Sequence, residues 1–207
     1  MNPDTSLPDW LDEIVSIEYG EELSREQRAS VGEYFWNKGS ELDDFDTFYA
    51  QVVREWPEEV LTTDHRAHSI ENYWKQEPWN CLGRTTFLTA LADLGFGKDV
   101  DIVLEYTGDW DAEQEMVRQN RSHVYLIGQD GTQYGPDSTY DADDEFYGVS
   151  NHGPEILPPL YRLSEAYITW RNGDHETAMA MADKVEERSP ASVYIDRKVE
   201  EVRKFGY

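Results

Sequence analysis

Residues 78–96 read PWNCLGRTTFLTALADLGF, and the rest of the chain is arranged around this stretch. Phe87, Leu88, Leu91 and Leu94 recur at the three-to-four spacing of one helical face, which predicts a buried helix. Gly95 marks its expected end. Asn80 is a favourable N-cap residue. Cys81 therefore stands where free backbone N–H groups and the positive end of the helix dipole converge. Those fields favour a thiolate and predict a Cys81 pKa below the ordinary value of about 8.5. A lone cysteine is more often a small buried hydrophobe, so position by itself decides little.

Downstream, DVDIVLEY (residues 99–106) alternates and reads as a strand, and residues 111–121 read as a short charged helix. SHVYLIG (122–128) and TQYGPDST (132–139) read as two strands around the turn Gln129-Asp130-Gly131. A three-residue hairpin loop with Gly131 in the left-handed position sets Gly128 opposite Thr132. In that register His123 falls opposite Asp137, on one face, with Cβ atoms about 4.5–5.5 Å apart. A two-residue loop instead sets Asp137 opposite Val124, on the other face. Pro136 signals irregular pairing there.

Upstream, residues 6–75 read as helices with polar faces. Leu11, Ile14, Val15 and Ile17 form one apolar stripe after Pro8. Ser24 and Gln27 form a capping box ahead of Val31, Tyr34 and Phe35. A third helix carries Phe45, Phe48, Tyr49, Val52 and Val53 and stops at Trp56-Pro57. A weaker fourth is expected near 65–75. From residue 154 the chain reads as helical again. Pro158-Pro159 opens a helix through Trp170, a second runs from His175 to about Arg188, and 191–204 form a last amphipathic one. Helices, then strands, then helices predict an α+β fold. The expected division is a helical part over 1–75, a core over 76–153 and a helical hairpin plus closing helix over 154–207.

A nucleophilic cysteine needs a base, and the base needs a group to orient it. Cys81, His123 and Asp137 supply one residue of each type. With Trp79-Asn80-Cys81 ahead of the helix, His123-Val124-Tyr125, Asp130-Gly131 and Asp137-Ser138-Thr139, the chain resembles the transglutaminase-like superfamily over residues 76–140. The resemblance implies a papain-like core in which a central helix packs on a small antiparallel sheet. It also implies Cys81 as nucleophile, His123 as general base and acid, and Asp137 as the residue orienting the imidazole. Tyr125 and Tyr134 stand where that family commonly has Trp, and Ser138 where it commonly has Pro, which leaves the substrate class open. The oxyanion donors are the Cys81 backbone N–H and one of Gln76, Trp79 or Asn80, each equally suited to capping or packing. The function so implied is a thiol enzyme acting on peptide or side-chain amides through a thioester, with hydrolysis favoured over transamidation. It needs no cofactor and no metal. The alternative is a non-catalytic interaction or structural protein on the same fold, a viral assembly component included. Leu160, Leu163, Ser164, Tyr167, Ala178 and Pro190 resemble a tetratricopeptide-type helix pair over about 158–190. That implies a site for a protein partner, although a single pair cannot stack into an array and a packing hairpin is the plainer reading.

Composition restricts the partners. The 207 residues carry 18 Lys and Arg against 43 Asp and Glu, a net charge of −25. Nucleic acid and anionic lipid are repelled by such a chain, so neither is expected as a partner, and a protein or peptide substrate is. Seven Trp and thirteen Tyr argue for a folded chain despite the charge. One cysteine excludes an internal disulfide and a cysteine-rich zinc site. The first residues lack a basic region and an apolar run, and no run approaches a bilayer span, so a cytoplasmic protein is expected. Acids spread along the whole chain, with few Lys, resemble the proteins of salt-loving organisms. The remaining polar clusters read as solvated surface. His65 and His68 lack a third ligand. Asp141, Asp143, Asp144 and Glu145 lack the glycine of a calcium loop. His152 and His175 sit in turn-like surroundings.

Overall fold

Helices open and close the chain around a small sheet. The structure, a computed structural model, describes residues 6–19, 23–55, 80–111, 116–134, 146–190 and 192–204. In chain order come α1 (Asp9–Tyr19), α2 (Arg25–Ser40), α3 (Phe45–Glu55) and α4 (Cys81–Ala90). A π-helical turn over Leu91–Gly95 extends α4. Then follow β1 (Val100–Asp111), β2 (Met116–Gly128), β3 (Gln133–Tyr134) and β4 (Phe146–His152). A 3-10 turn over Pro154–Ile156 leads into α5 (Leu157–Arg171), α6 (His175–Arg188) and α7 (Val193–Lys204). The class is α+β, as the element order predicts. The strands form one antiparallel sheet in the order β3-β2-β1-β4.

Local chemistry explains most of the boundaries. Gln27 N–H donates to Ser24 Oγ at 3.2 Å and Ser24 N–H donates to Gln27 Oε1 at 2.9 Å, closing the expected capping box. Asp174 caps α6 in the same manner, accepting from Thr177 N–H at 3.1 Å. At the end of the π turn the left-handed residue is Gly97, with φ +60, rather than Gly95. Gly95 has another job. A Cβ added to Gly39 of α2 would stand 2.2 Å from the Gly95 carbonyl oxygen, so the two backbones meet where no side chain fits.

Two expectations about strands fail. Where a helix over 111–121 is expected, Asp111 and 116–121 are strand: Trp110 pairs with Val117 and Asp111 with Met116, extending the β1–β2 ribbon. The cross-strand ladder satisfies the backbone there, and it overrides a sequence whose charges suit a helix as well. Strand β4 carried no sequence signal, because Gly148, Ser150 and Asn151 are poor strand formers. It forms by pairing with the far side of β1, from Gly108–Phe146 to Ile102–His152. His152 thus lies on a strand and not in a turn, with its Nε2 2.8 Å from Ser150 Oγ.

One apolar cluster joins Leu11, Ile14, Phe35, Phe87, Leu88 and Leu91 to Ile102, Leu104, Val124 and Leu126. Leu160, Leu163, Ala178, Ile195 and Val199 of the last three helices belong to it too, so the C-terminal hairpin shares the core. Val124 and Leu126 alternate with His123 and Tyr125, which face the opposite side of the sheet beside Glu105 and Val103. The weak helix near 65–75, His65, His68, Gln76, Trp79, Asp137 and the acidic run 141–145 lie outside the described residues. No helix among the described residues is long and apolar enough to cross a membrane.

Candidate active site

Asn80 starts α4 as its sequence predicts. Its side-chain oxygen accepts from Gly83 N–H at 2.9 Å, and its backbone carbonyl accepts from Arg84 N–H at 3.1 Å. Asn80 is thus committed to the cap through the oxygen end of its amide. Thr85, one turn further, donates its hydroxyl to the Val124 carbonyl at 2.9 Å, a buried bond between helix and strand. The Val124 backbone also acts on the Cys81 thiol, favouring its ionised form against the larger effect of burial. The Val124 carbonyl therefore leaves the sheet edge and meets α4 one turn beyond its start. Further along the same edge β3 takes over, pairing Tyr134 with Leu126 and Gln133 with Ile127.

That register is the one a three-residue loop requires. Gly131 has φ +84, Gly131 N–H donates to the Gly128 carbonyl at 2.9 Å, and Gly128 N–H donates to Thr132 at 2.8 Å. Asp137 itself lies beyond the described pairs. The carboxylate that the described strands set against the histidine is another one. Glu105 of β1 is directly opposite His123 of β2, with both side chains on one face and 0% and 7% exposed. The imidazole also stacks on Tyr125, two residues along the strand, with ring centroids 5.5 Å apart.

The electrostatics differ from those the helix N-terminus suggests. Cys81 is partly exposed as a residue, yet burial pushes its thiol above the ordinary range. The Val124 N–H, Arg84 and Lys198 pull the other way without prevailing. The expected lowered thiol is overturned, because a dipole at the end of a short helix acts against desolvation by the whole surrounding protein. Burial, and next to it the Arg84 guanidinium, hold His123 down at about 4, with Glu105 opposing. His123 is a neutral imidazole at pH 7. Among the described residues no hydrogen bond joins it to Cys81, and its Nε2 is buried without a hydrogen-bond partner.

Three charged residues near this site were not singled out from the sequence. Arg84 is three residues after Cys81 and 9% exposed. Its spacing from Cys81 was a readable signal. Glu105 alternates with Leu104 and Tyr106 and reads as a solvent-facing position. Lys198 had no local signal at all, since α7 brings it in from the other end of the chain. It is buried, donates to Glu201 Oε2 at 3.1 Å and lies over the rings of Tyr106 and Tyr194. Compared with known proteins, the chain matches no family model, no curated protein and no solved structure.

Proposed function

We propose that the protein is a thiol enzyme of the transglutaminase-like kind, acting on peptide or side-chain amide carbonyls. One observation carries the reading: the α4 N-terminus, bearing Cys81, docks on the β2 edge at Val124, the residue next to His123. A papain-like core needs that juxtaposition of helix start and histidine strand. In the reaction, the Cys81 sulfur attacks the carbonyl carbon while its proton passes to neutral His123. The amine leaves with a proton from the imidazolium, and a thioester remains. Water, deprotonated by His123, then attacks the thioester and regenerates the thiol. By the resemblance, Asp137 orients the imidazole in this reading. The Cys81 N–H at the helix start serves as the first oxyanion donor.

A second reading, a non-catalytic interaction or structural protein, draws on a different observation. The thiol is pushed up, the imidazole is neutral, and no hydrogen bond joins them. A panel of peptide and glutamine-amide substrates in about 2 M potassium chloride, a concentration at which screening is complete within a few Å, separates the two. An acyl-enzyme mass adduct seen with the native protein and absent from Cys81→Ala supports the enzyme. Substrates left intact by both proteins, without any adduct, favour the non-catalytic reading.

A further inference from the structure

We propose that Ser150, with His152 as its base, is a second nucleophilic site, one that takes the acyl group of small neutral carboxylic esters. It draws on none of the residues of the thiol site.

The edge strand β4 builds the pair. Ser150 and His152 are two residues apart, so their side chains leave the strand on one face, opposite Leu104 and Ile102 of β1. Ser150 Oγ lies 2.8 Å from His152 Nε2, within the reach that a hydroxyl nucleophile and its base require. Both residues are half-buried, and the flanking Val149 and Asn151 are exposed. A short acyl group needs no deeper access than that. Of the elements packed on β4, β1 sets apolar side chains opposite the pair and α7 contributes the Ser192 hydroxyl. Burial holds the imidazole below its ordinary pKa, and Glu155 acts against that burial. The ring is therefore neutral at pH 7 and free to take a proton. A Cβ on Gly153 would stand 2.2 Å from a Glu155 carboxylate oxygen, so Glu155 folds back over the residue that follows His152. From there its charge favours the imidazolium that forms during the reaction.

Helix α7 supplies the other half. Ser192 is 4% exposed, and its Oγ is 3.3 Å from Ser150 Oγ. Its carbonyl accepts from Asp196 N–H at 2.9 Å, so Ser192 heads α7, whose first-turn N–H groups have no acceptor within the helix. The Ser192 hydroxyl and these N–H groups are the donors for an oxyanion on a carbonyl bonded to Ser150. Val193, the next residue, is 50% exposed and offers apolar surface to a short acyl chain. The net charge of −25 repels anionic acyl donors, which leaves neutral esters.

In the reaction Ser150 Oγ bonds to the ester carbonyl carbon while its proton passes to His152 Nε2. The carbon–alkoxy bond breaks, and the alcohol leaves with that proton. Water then attacks the acyl-serine and gives a proton to Nε2. Ser150 leaves and takes that proton back, and a carboxylic acid is released.

The test treats the native chain, Ser150→Ala and His152→Gln with an alkyl fluorophosphonate, which captures an activated serine as fluoride leaves. Peptide mass mapping locates the label, so capture at Ser150 is distinguished from reaction at Cys81. The expected result is a single label on Ser150, absent from Ser150→Ala and formed at least about 100-fold more slowly in His152→Gln. Its rate in the native chain should follow the neutral fraction of His152, whose midpoint NMR reads in the same sample. If His152→Gln does not fold, that pH profile decides. A native chain left unlabelled, a label on Ser192 instead, or a rate that is flat through the His152 midpoint overturns the proposal. The three hydroxyl and imidazole groups would then only pin α7 to β4.

Discussion

His123 is the residue whose burial has the clearest consequence in solution. The unfolded chain binds a proton there near pH 6.5, and the folded chain near 4. Between those values the unfolded state holds more protons, so stability falls as the pH drops from about 6.5 to about 4 and levels off below. A shift of that size corresponds to a loss on the order of 3 kcal/mol. His152 is also held down by burial and acts in the same direction, so it sets the background. Urea unfolding of the native protein and of His123→Gln at pH 7 and pH 4.5 reads the effect. The native protein should lose about 2–2.5 kcal/mol more than the variant between these two pH values, and equal losses would show that His123 is not protonation-coupled to folding. Glu105 works against the burial of the imidazole from the adjacent strand. Glu105→Gln should lower the His123 midpoint in an NMR titration, and a rise would mean the two side chains do not sense each other.

Contacts between elements depend on a few close approaches. Gly39→Ala drives a methyl group into the backbone of the π turn, at 2.2 Å from the Gly95 oxygen. Backbone cannot rotate away as a side chain can, so a loss of about 3 kcal/mol or more is expected, at the upper end of overpacking costs. A thermal melt within 1 °C of the native protein would show that α2 slides freely on that turn. Thr85→Val keeps the shape of the helix–strand contact and leaves the Val124 carbonyl without its donor. About 1–3 kcal/mol should be lost, together with the docking of α4 on β2 at Val124. Where element boundaries were legible, a local device set them: Ser24 with Gln27, Asn80 with Gly83, and Gly131 in a three-residue loop. That loop fixed the hairpin register in advance, since a one-residue slip would turn Leu126 and Val124 out of the core. Strand β4 and the first half of β2 were illegible because their reason lies in β1, an element distant in sequence. The same holds for the site. Cys81 and His123 could be read from local pattern, and Arg84 from helical spacing, whereas Lys198 comes from a helix more than a hundred residues on.

Taken as a whole, the molecule carries a charge that no set of ion pairs offsets. Arg203 illustrates the limit: it meets both Asp183 at 2.5 Å and Glu186 at 2.6 Å, and these two hydrogen-bonded carboxylates push its pKa up. One cation therefore serves two acids. With 43 acids to 18 bases the remaining carboxylates repel, and compacting them is unfavourable in dilute buffer. Raising salt shortens the screening length from about 10 Å at 0.1 M to about 3 Å at 1 M. It weakens the exposed ion pairs as well, but these contribute only about 0–1 kcal/mol each and are outnumbered by the repulsions. The melting temperature should therefore rise by many degrees between about 0.1 M and about 2 M potassium chloride at constant pH, the two ends of that screening range. The shape of the curve identifies the cause. Screening saturates once the Debye length is shorter than the spacing between carboxylates, so most of the gain should come in the first several tenths molar. A gain from salt exclusion at apolar surface would instead continue to grow across the whole range. A flat melting curve would mean that the native fold already spaces its carboxylates beyond each other's reach, and would remove the physical ground for reading this composition as an adaptation to high salt.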